Sequence, residues 1–165
     1  MKIIISITAF LLIFSAQLFA QFYTDFTKDD INGNEIKLSN LVEKGPVMLG
    51  FWRTWCPSCK EEQRNMQILF EKYKQKGFTY IGVNIDNQKS VSKVKSYVSA
   101  MGFTFPVILD TDKELFQIYG GSEEAVPYYF IIGRNKKVLN THLGYKIGDE
   151  KMIEDEIIEA LGVKE

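Results

Sequence analysis

The sequence predicts an α/β fold in which a mixed sheet carries helices on both faces. One observation is the apolar run from Val47 to Trp52, which is typical of a strand covered on both sides. A second is that segments with helical spacing of apolar residues alternate with further apolar runs. A third is a closing pair of apolar runs separated by a turn. Strands that alternate with helices and end in a hairpin indicate a mixed sheet.

The first half of the chain supplies a hairpin, two strands and two helices. Between Phe22 and Leu41, Asn32-Gly33 lies between alternating apolar residues, which predicts a β-hairpin. Two later segments have apolar residues at helical spacing, and each ends at a glycine. After the hairpin, the predicted elements are a strand Val47–Trp52, a helix from Cys56-x-x-Cys59 to about Lys76, a strand Phe78–Ile85 and a helix Ser90–Met101.

The second half contributes shorter elements and a longer final helix. The turn of the closing hairpin is predicted at Gly133 to Lys136, and Gly120-Gly121-Ser122 is predicted to be a loop. Apolar residues at helical spacing predict an amphipathic last helix around Ile153 to Leu161. The other predicted elements are a strand Phe105–Leu109, a helix Glu114–Tyr119, and strands Tyr128–Ile132 and Val138–Leu143.

The first 20 residues have the layout of a secretory signal peptide: Lys2, an apolar stretch to Phe14, and Ala20 before a polar change. We therefore divide the chain into a signal peptide, residues 1–20, and one domain, residues 21–165. Leu18 is larger than the small residue usual at its position, so an uncleaved membrane anchor is the alternative. The apolar part is, however, shorter than the ~20 residues that a spanning helix needs. Both forms predict an extracytoplasmic, periplasmic protein, with membrane contact only if the segment stays attached.

The charge balance argues against nucleic acid as a partner. Lys2 is one of 20 basic residues, so removal of the signal leaves 19 basic against 21 acidic residues. Nucleic-acid binders need a concentrated basic face. No internal repeat or low-complexity tract divides the remaining chain.

Both cysteines of the protein lie in one C-x-x-C, Cys56-Pro57-Ser58-Cys59, at a predicted helix start. The loop that they would close is too short to stabilise the fold much through chain entropy, so we expect a redox pair rather than a structural one. A zinc site is the other kind of site in which this spacing occurs. A closed zinc site needs four ligands, and the sequence has no second C-x-x-C or H-x-x-x-H, so neither a metal nor another cofactor is expected.

Cys56 is the predicted nucleophile. A thiolate attacks a disulfide sulfur, and the positive end of a helix favours that thiolate. Cys59 would resolve the mixed disulfide and must lose its own proton to do so. Glu62 lies three residues further along the same helix face, so its carboxylate is a candidate to exchange that proton. The alternative is an ordinary exposed glutamate in a first helical turn.

The remaining neighbours are predicted to have structural roles. Trp52 is expected in the core. Arg53 and Lys60 are expected to be solvated surface charges, and the alternative is that their positive charge favours a thiolate at Cys56. His142 is the only histidine; it falls in a predicted strand and has no partner at a ligand spacing, so we expect it to be a structural residue as well.

Trp55-Cys56-x-x-Cys59-Lys60 followed by Val126-Pro127, within alternating strands and helices, resembles the thioredoxin fold. The segments FWRTWCPSC, VNID and FPVILD resemble more closely the TlpA and ResA type of exported thiol-disulfide oxidoreductases. The resemblance covers nearly all of the chain after the signal. It implies an N-terminal β-hairpin and a β-α insert, Phe103 to Tyr119, before the cis-proline strand.

The resemblance also implies roles for particular residues. Val126-Pro127 would be a cis peptide facing the cysteines, and the backbone of Val126 would pair with an extended substrate segment. Trp55 resembles the exposed ring beside the active site in this family, where it would form part of the docking surface; the alternative is a packing role. ResA-like proteins have a glutamate at the position of Glu62.

Three positions depart from the sequence pattern of thioredoxin and of this family. Thioredoxin has a buried aspartate and a nearby lysine where this chain has Gly50 and Gly82, so that proton route is absent here and Glu62 or water would take its place. Arg64 stands where the family often has a helix-kinking proline, which predicts a straighter helix.

By this resemblance, the predicted function is the reduction of protein disulfides, in apocytochrome c or another exported protein, with electrons from a membrane-bound thiol donor. The chain is expected to act as a monomer. One alternative is an oxidase or isomerase that inserts disulfides, and another is a non-catalytic binding module. A copper-delivery protein of the Sco type would have C-x-x-x-C. A peroxiredoxin-type peroxidase normally has Thr-x-x-Cys, where this chain has Arg53.

Overall fold

A five-stranded mixed sheet organises the fold, and a separate two-stranded hairpin precedes it. The computed structural model describes residues 23–122 and 125–163. The strands are β1 Thr27–Asp29, β2 Glu35–Lys37, β3 Val47–Trp52, β4 Thr79–Asn84, β5 Val107–Leu109, β6 Tyr128–Ile132 and β7 Val138–Leu143. The helices are α1 Leu38–Val42, α2 Pro57–Tyr73, α3 Val91–Met101, α4 Glu114–Ile118 and α5 Asp149–Leu161, with short 3₁₀ turns at Lys74–Lys76 and Gln88–Ser90.

The strand order in the sheet is β5-β4-β3-β6-β7. β3 pairs in parallel with β4, and β4 with β5, while β6 and β7 join in antiparallel pairing. The predicted mixed sheet is therefore confirmed. Its central strand, β3, leads directly into α2, so the C-x-x-C lies at the carboxyl end of the central strand.

Side chains of β3 alternate between two cores because successive strand residues point to opposite faces. Met48 and Trp52 face the core beneath α2, α3 and α5, and Leu49 and Phe51 face the core beneath α1 and α4. Helices thus cover both faces, as predicted, and every residue of β3 is buried.

Most predicted elements are found within one or two residues of their expected ends. β3, β6 and β7 have the predicted bounds, and β1 and β2 form the predicted hairpin, with Gly33 at φ 83° in its turn. The helix after the cysteines ends in a 3₁₀ turn at Lys76, and Gly77 follows at φ 98°, where glycine is favoured. β5 and α4 form the predicted β-α insert before β6.

The sequence did not predict α1. This helix has only five residues, Leu38–Val42, and buries Leu38 and Val42 against the sheet. So few residues contain barely more than one helical turn, which leaves no repeat for a periodic pattern to detect.

The predicted signal peptide, residues 1–20, lies outside the described residues. Among residues 23–122 and 125–163, no helix has the length and apolar character that crossing a membrane requires.

Candidate active site

The two cysteines are joined by a disulfide bond at the start of α2. The Sγ atoms are 2.15 Å apart and the Cα atoms 5.2 Å apart. Cys56 is the N-cap residue, Pro57 is the first helical residue, and Cys59 lies in the first turn. Proline suits that first position because its missing N–H would be unpaired there anyway. The pair therefore lies at the N-terminus of α2, with Cys56 just before the helix and Cys59 in its first turn.

The surroundings of the Cys56 sulfur favour negative charge. The Cys59 backbone N–H donates to Cys56 Sγ at 3.1 Å, and Ser58 Oγ lies 3.4 Å from it. Cys56 retains 6% of its exposure, whereas Cys59 retains none. A sulfur that accepts a helix-terminal N–H is stabilised as a thiolate. Of the two cysteines, Cys56 is thus the more accessible.

Asp86 fastens the turn before the cysteines to the end of β4. Its Oδ2 accepts hydrogen bonds from the backbone N–H and the hydroxyl of Thr54, at 3.0 and 2.7 Å. Asn84 Nδ2 donates to the Trp52 carbonyl at 3.4 Å. Sequence reasoning missed these contacts, although Asn84 and Asp86 belong to the VNID segment on which the resemblance rests. These hydrogen bonds with residues at the end of β4 hold the turn that precedes Cys56.

Trp55 is exposed beside Cys56, with 59% of its surface accessible. The guanidinium carbon of Arg53 lies 4.9 Å from the centre of the Trp55 ring, within cation–π range. Arg53 itself is only 5% exposed, so the prediction of a solvated charge is wrong for this residue. The turn folds the arginine beneath the tryptophan instead of leaving it in water, and so supports the exposed ring. Lys60 is half-buried, with its Nζ 5.7 Å from the Tyr97 ring centre.

Glu62 is fully buried, one helical turn after Cys59. The alternative of an ordinary exposed glutamate is therefore wrong. Burial raises the pKa of Glu62 to about 8, and a hydrogen bond from Gln63 Nε2 to its Oε2, at 3.3 Å, works in the opposite direction. Its other oxygen, Oε1, makes no hydrogen bond with the described part of the protein.

The helical pattern contained a signal for this burial. The apolar residues Met66, Leu69 and Tyr73 mark the buried face of α2, and the same spacing extended backwards reaches Glu62 and Cys59.

The Val126-Pro127 peptide bond is cis, as predicted. The Val126 carbonyl oxygen lies 3.7 Å from Cys56 Sγ, and the Pro127 carbonyl accepts from the backbone N–H of Gly144 at 2.8 Å. The turn before β6 is thus held against the first cysteine and tied to the end of β7. The structure therefore brings together Cys56, Cys59 and Val126.

His142 stacks on Tyr129 across the β6–β7 pair, with ring centres 5.5 Å apart. This contact agrees with the predicted structural role. Within the described ranges, no three His, Cys, Asp or Glu side chains converge as metal ligands would.

Comparisons with known proteins agree with this geometry. Residues 20–141 match the model of the AhpC/TSA family. The thiol-disulfide oxidoreductase ResA of Bacillus subtilis is 36% identical over 131 residues, which cover 79% of this chain and 69% of that protein. ResA of Bacillus thuringiensis is 35% identical over 120 residues, which cover 73% of this chain and 66% of the relative.

Among solved structures, a candidate thiol:disulfide interchange protein DsbE from Chlorobium tepidum superimposes with a TM-score of 0.78. The match has 31% identity and covers 87% of this chain and 97% of the other.

Proposed function

The chain belongs to the AhpC/TSA family and, within it, to the ResA-like thiol-disulfide oxidoreductases, and we propose that it reduces disulfide bonds of proteins outside the cytoplasm. One observation carries the proposal: a disulfide at a helix N-terminus presents a single partly accessible sulfur, Cys56, beside a cis-proline turn.

The first step is attack by the Cys56 thiolate on one sulfur of a substrate disulfide. A new S–S bond joins Cys56 to the substrate, the substrate's own S–S bond breaks, and the released substrate sulfur leaves as a thiolate that takes up a proton. The helix N-terminus and the Cys59 N–H, 3.1 Å from Cys56 Sγ, support the attacking thiolate.

In the second step Cys59 resolves the mixed disulfide. Its thiol gives a proton to the Glu62 carboxylate, and the resulting thiolate attacks Cys56 Sγ. The bond between Cys56 and the substrate breaks, and the second substrate sulfur leaves reduced. The product is the Cys56–Cys59 disulfide seen in the structure. Two electrons from an external dithiol donor return the pair to its reduced state.

Burial of Glu62 fits it for this proton transfer. Its pKa of about 8 lies close to the ~8.5 of an unperturbed thiol, and a general base works best when its pKa is near that of its partner and the working pH. A solvated glutamate, at about 4.3, would be a much weaker base toward the same thiol.

Three residues around Cys56 are proposed to hold the substrate. The backbone of Val126, before the cis bond to Pro127, would pair with an extended segment of the substrate, a mode of recognition that tolerates varied sequences. Trp55, next to Cys56 in the chain, offers an exposed aromatic ring that contacts Arg53.

The proposed setting follows from the N-terminal sequence and the relatives. Residues 1–20 would direct the chain out of the cytoplasm or anchor it there. The partners would be protein disulfides, including cysteines of apocytochrome c or another exported protein, and a membrane-bound thiol donor. We propose that the protein acts as a monomer.

Two measurements test the proposal: an insulin-reduction assay and the reduction potential of the Cys56–Cys59 pair. We expect the wild-type protein to reduce insulin with dithiothreitol as donor, and Cys56→Ser to be inactive. The potential should lie nearer the about −270 mV of thioredoxin than the about −120 mV of the oxidant DsbA. A potential at the oxidising end would instead support an oxidase, and equal activity with and without Cys56 would leave only a binding module.

A further inference from the structure

Beneath the active site, a group of polar side chains is sealed between α2 and the sheet. Glu62, Gln63, Tyr80 and Trp52 each have no accessible surface. Buried polar groups are costly unless they are paired. Three of them, Glu62, Gln63 and Tyr80, are joined by hydrogen bonds, whereas Trp52 Nε1 has no partner among the described residues.

Gln63 joins the carboxylate to the tyrosine. Its Nε2 donates to the Tyr80 hydroxyl at 2.7 Å and to Glu62 Oε2 at 3.3 Å. The other carboxylate oxygen, Oε1, has no hydrogen-bond partner among the described residues. One oxygen of Glu62 is thus held by an amide, and the amide is itself fixed by a hydroxyl from β4.

Two glycines make room for this arrangement. Gly50 and Gly82 lie opposite each other in the parallel pair of β3 and β4. A Cβ on Gly50 would overlap the Tyr80 hydroxyl. A Cβ on Gly82 would lie 3.1 Å from Phe105, 3.2 Å from Trp52 Nε1 and 3.3 Å from Gln63 Oε1. These are the two positions at which thioredoxin has its acid and its lysine. In this chain a phenol fills the space beside Gly50, and a neutral amide lines the space beside Gly82 together with Phe105 and Trp52.

We propose that Gln63 and Tyr80 are positioning residues for Glu62. The Tyr80 hydroxyl fixes the Gln63 amide, the amide holds Glu62 Oε2, and Oε1 is left to take the Cys59 proton. Neither residue touches the substrate; both act through the carboxylate. The inference rests on the proposed role of Glu62 as the proton acceptor and adds what orients it.

The other groups that face Glu62 do not compete for this proton. Tyr80 on β4 and Tyr129 on β6 both feel the Glu62 charge, and burial is the main cause that raises the pKa of each phenol. Tyr129 donates to Glu156 of α5 at 2.9 Å. Both phenols therefore stay neutral, and the pKa of Glu62, at about 8, lies near neutral pH.

Two variants separate positioning from packing. Gln63→Met removes the donor and keeps a side chain of similar length, and Tyr80→Phe removes one oxygen atom and keeps the ring. Tyr73→Phe is the matched control, because Tyr73 is also a buried tyrosine, but its hydroxyl donates to Glu154 instead, at 2.7 Å. Thermal unfolding of each variant confirms that the fold is retained.

The first readout is the titration of the Glu62 carboxyl carbon by ¹³C NMR in the oxidised protein. We expect the midpoint near 8 in the wild type and a rise of about one pH unit in Gln63→Met, because a hydrogen bond to the charged form is lost. Tyr80→Phe should move it in the same direction by less, and Tyr73→Phe should not move it. An unchanged midpoint in both Gln63→Met and Tyr80→Phe, or an equal rise in Tyr73→Phe, would overturn the inference.

The second readout is the pH profile of mixed-disulfide resolution in single-turnover experiments. Gln63→Met and Tyr80→Phe should shift the profile in the wild-type background and leave it unchanged in a Glu62→Gln background. Shifts that persist without the carboxylate would mean that the two residues act independently of Glu62. A Glu62→Gln profile identical to wild type would refute the proposed role of Glu62, while the NMR titration would still decide whether Gln63 and Tyr80 hold it.

Discussion

Burial of Glu62 predicts an unusual dependence of stability on pH. The pKa of Glu62 is raised from 4.5 to about 8 in the folded, oxidised protein, so between these values the folded state keeps a proton that the unfolded chain has released. The free energy of unfolding therefore falls as pH rises through this window. The contribution is fully present below about pH 4.5 and is lost above about pH 8.

The magnitude follows from the two pKa values. They differ by about 3.5, and each pH unit corresponds to about 1.4 kcal/mol, so the wild type should lose about 5 kcal/mol of stability across the window from this group alone. Glu62→Gln has no proton to lose. The stability difference between Glu62→Gln and wild type should therefore shift in favour of the variant by several kcal/mol between pH 5 and pH 9.

Urea unfolding of both oxidised proteins at intervals of one pH unit measures this difference directly. Taking the difference removes the contributions of other carboxylates, which titrate alike in both proteins. A difference that stays constant from pH 5 to pH 9 would show that Glu62 ionises normally in the folded state, and the account of its burial would then be wrong.

Three further predictions concern the turn, the glycine pair and the docking surface. Gly50→Ala should destabilise the protein by about 1–3 kcal/mol, because the alanine Cβ would overlap the Tyr80 hydroxyl. A variant that unfolds at the same urea concentration as the wild type would contradict this. Asp86→Ala should cost about 2 kcal/mol and slow exchange, since Thr54 loses both of its hydrogen bonds to Asp86. Unchanged stability together with an unchanged exchange rate would refute this role of Asp86. Trp55→Ala should raise the KM for insulin and leave the reduction of a small aromatic disulfide unaffected, and equal losses on both substrates would refute a docking role.

The strands that carry the site could be predicted because their sequences leave little choice. Val47–Trp52 is apolar at every position, so only a strand covered on both faces suits it, and the structure buries all six residues. The glycine at position 77 and the helical spacing before it likewise marked where α2 gives way to β4. α1 could not be predicted in this way, because tertiary packing rather than a repeating pattern forms a helix of this length.

The site was predicted less completely because its polar contacts join distant segments. Asp86 lies 32 residues from Thr54, and no local pattern indicates that they meet. Arg53 was expected in water because charge usually indicates exposure, and only the fold of the turn places it under Trp55. The cysteine pair, by contrast, could be predicted from local spacing alone, because the two residues are only three positions apart in the chain.

Mass spectrometry of a trapped intermediate tests the central claim most directly. A reduced Cys59→Ser protein lacks the resolving thiol, so incubation with oxidised insulin should yield an adduct linked through Cys56 that dithiothreitol removes. The account predicts no adduct when Cys56→Ser is added to the same background. Failure of Cys59→Ser to form the adduct, or its formation in both proteins, would contradict the claim that Cys56 begins the exchange.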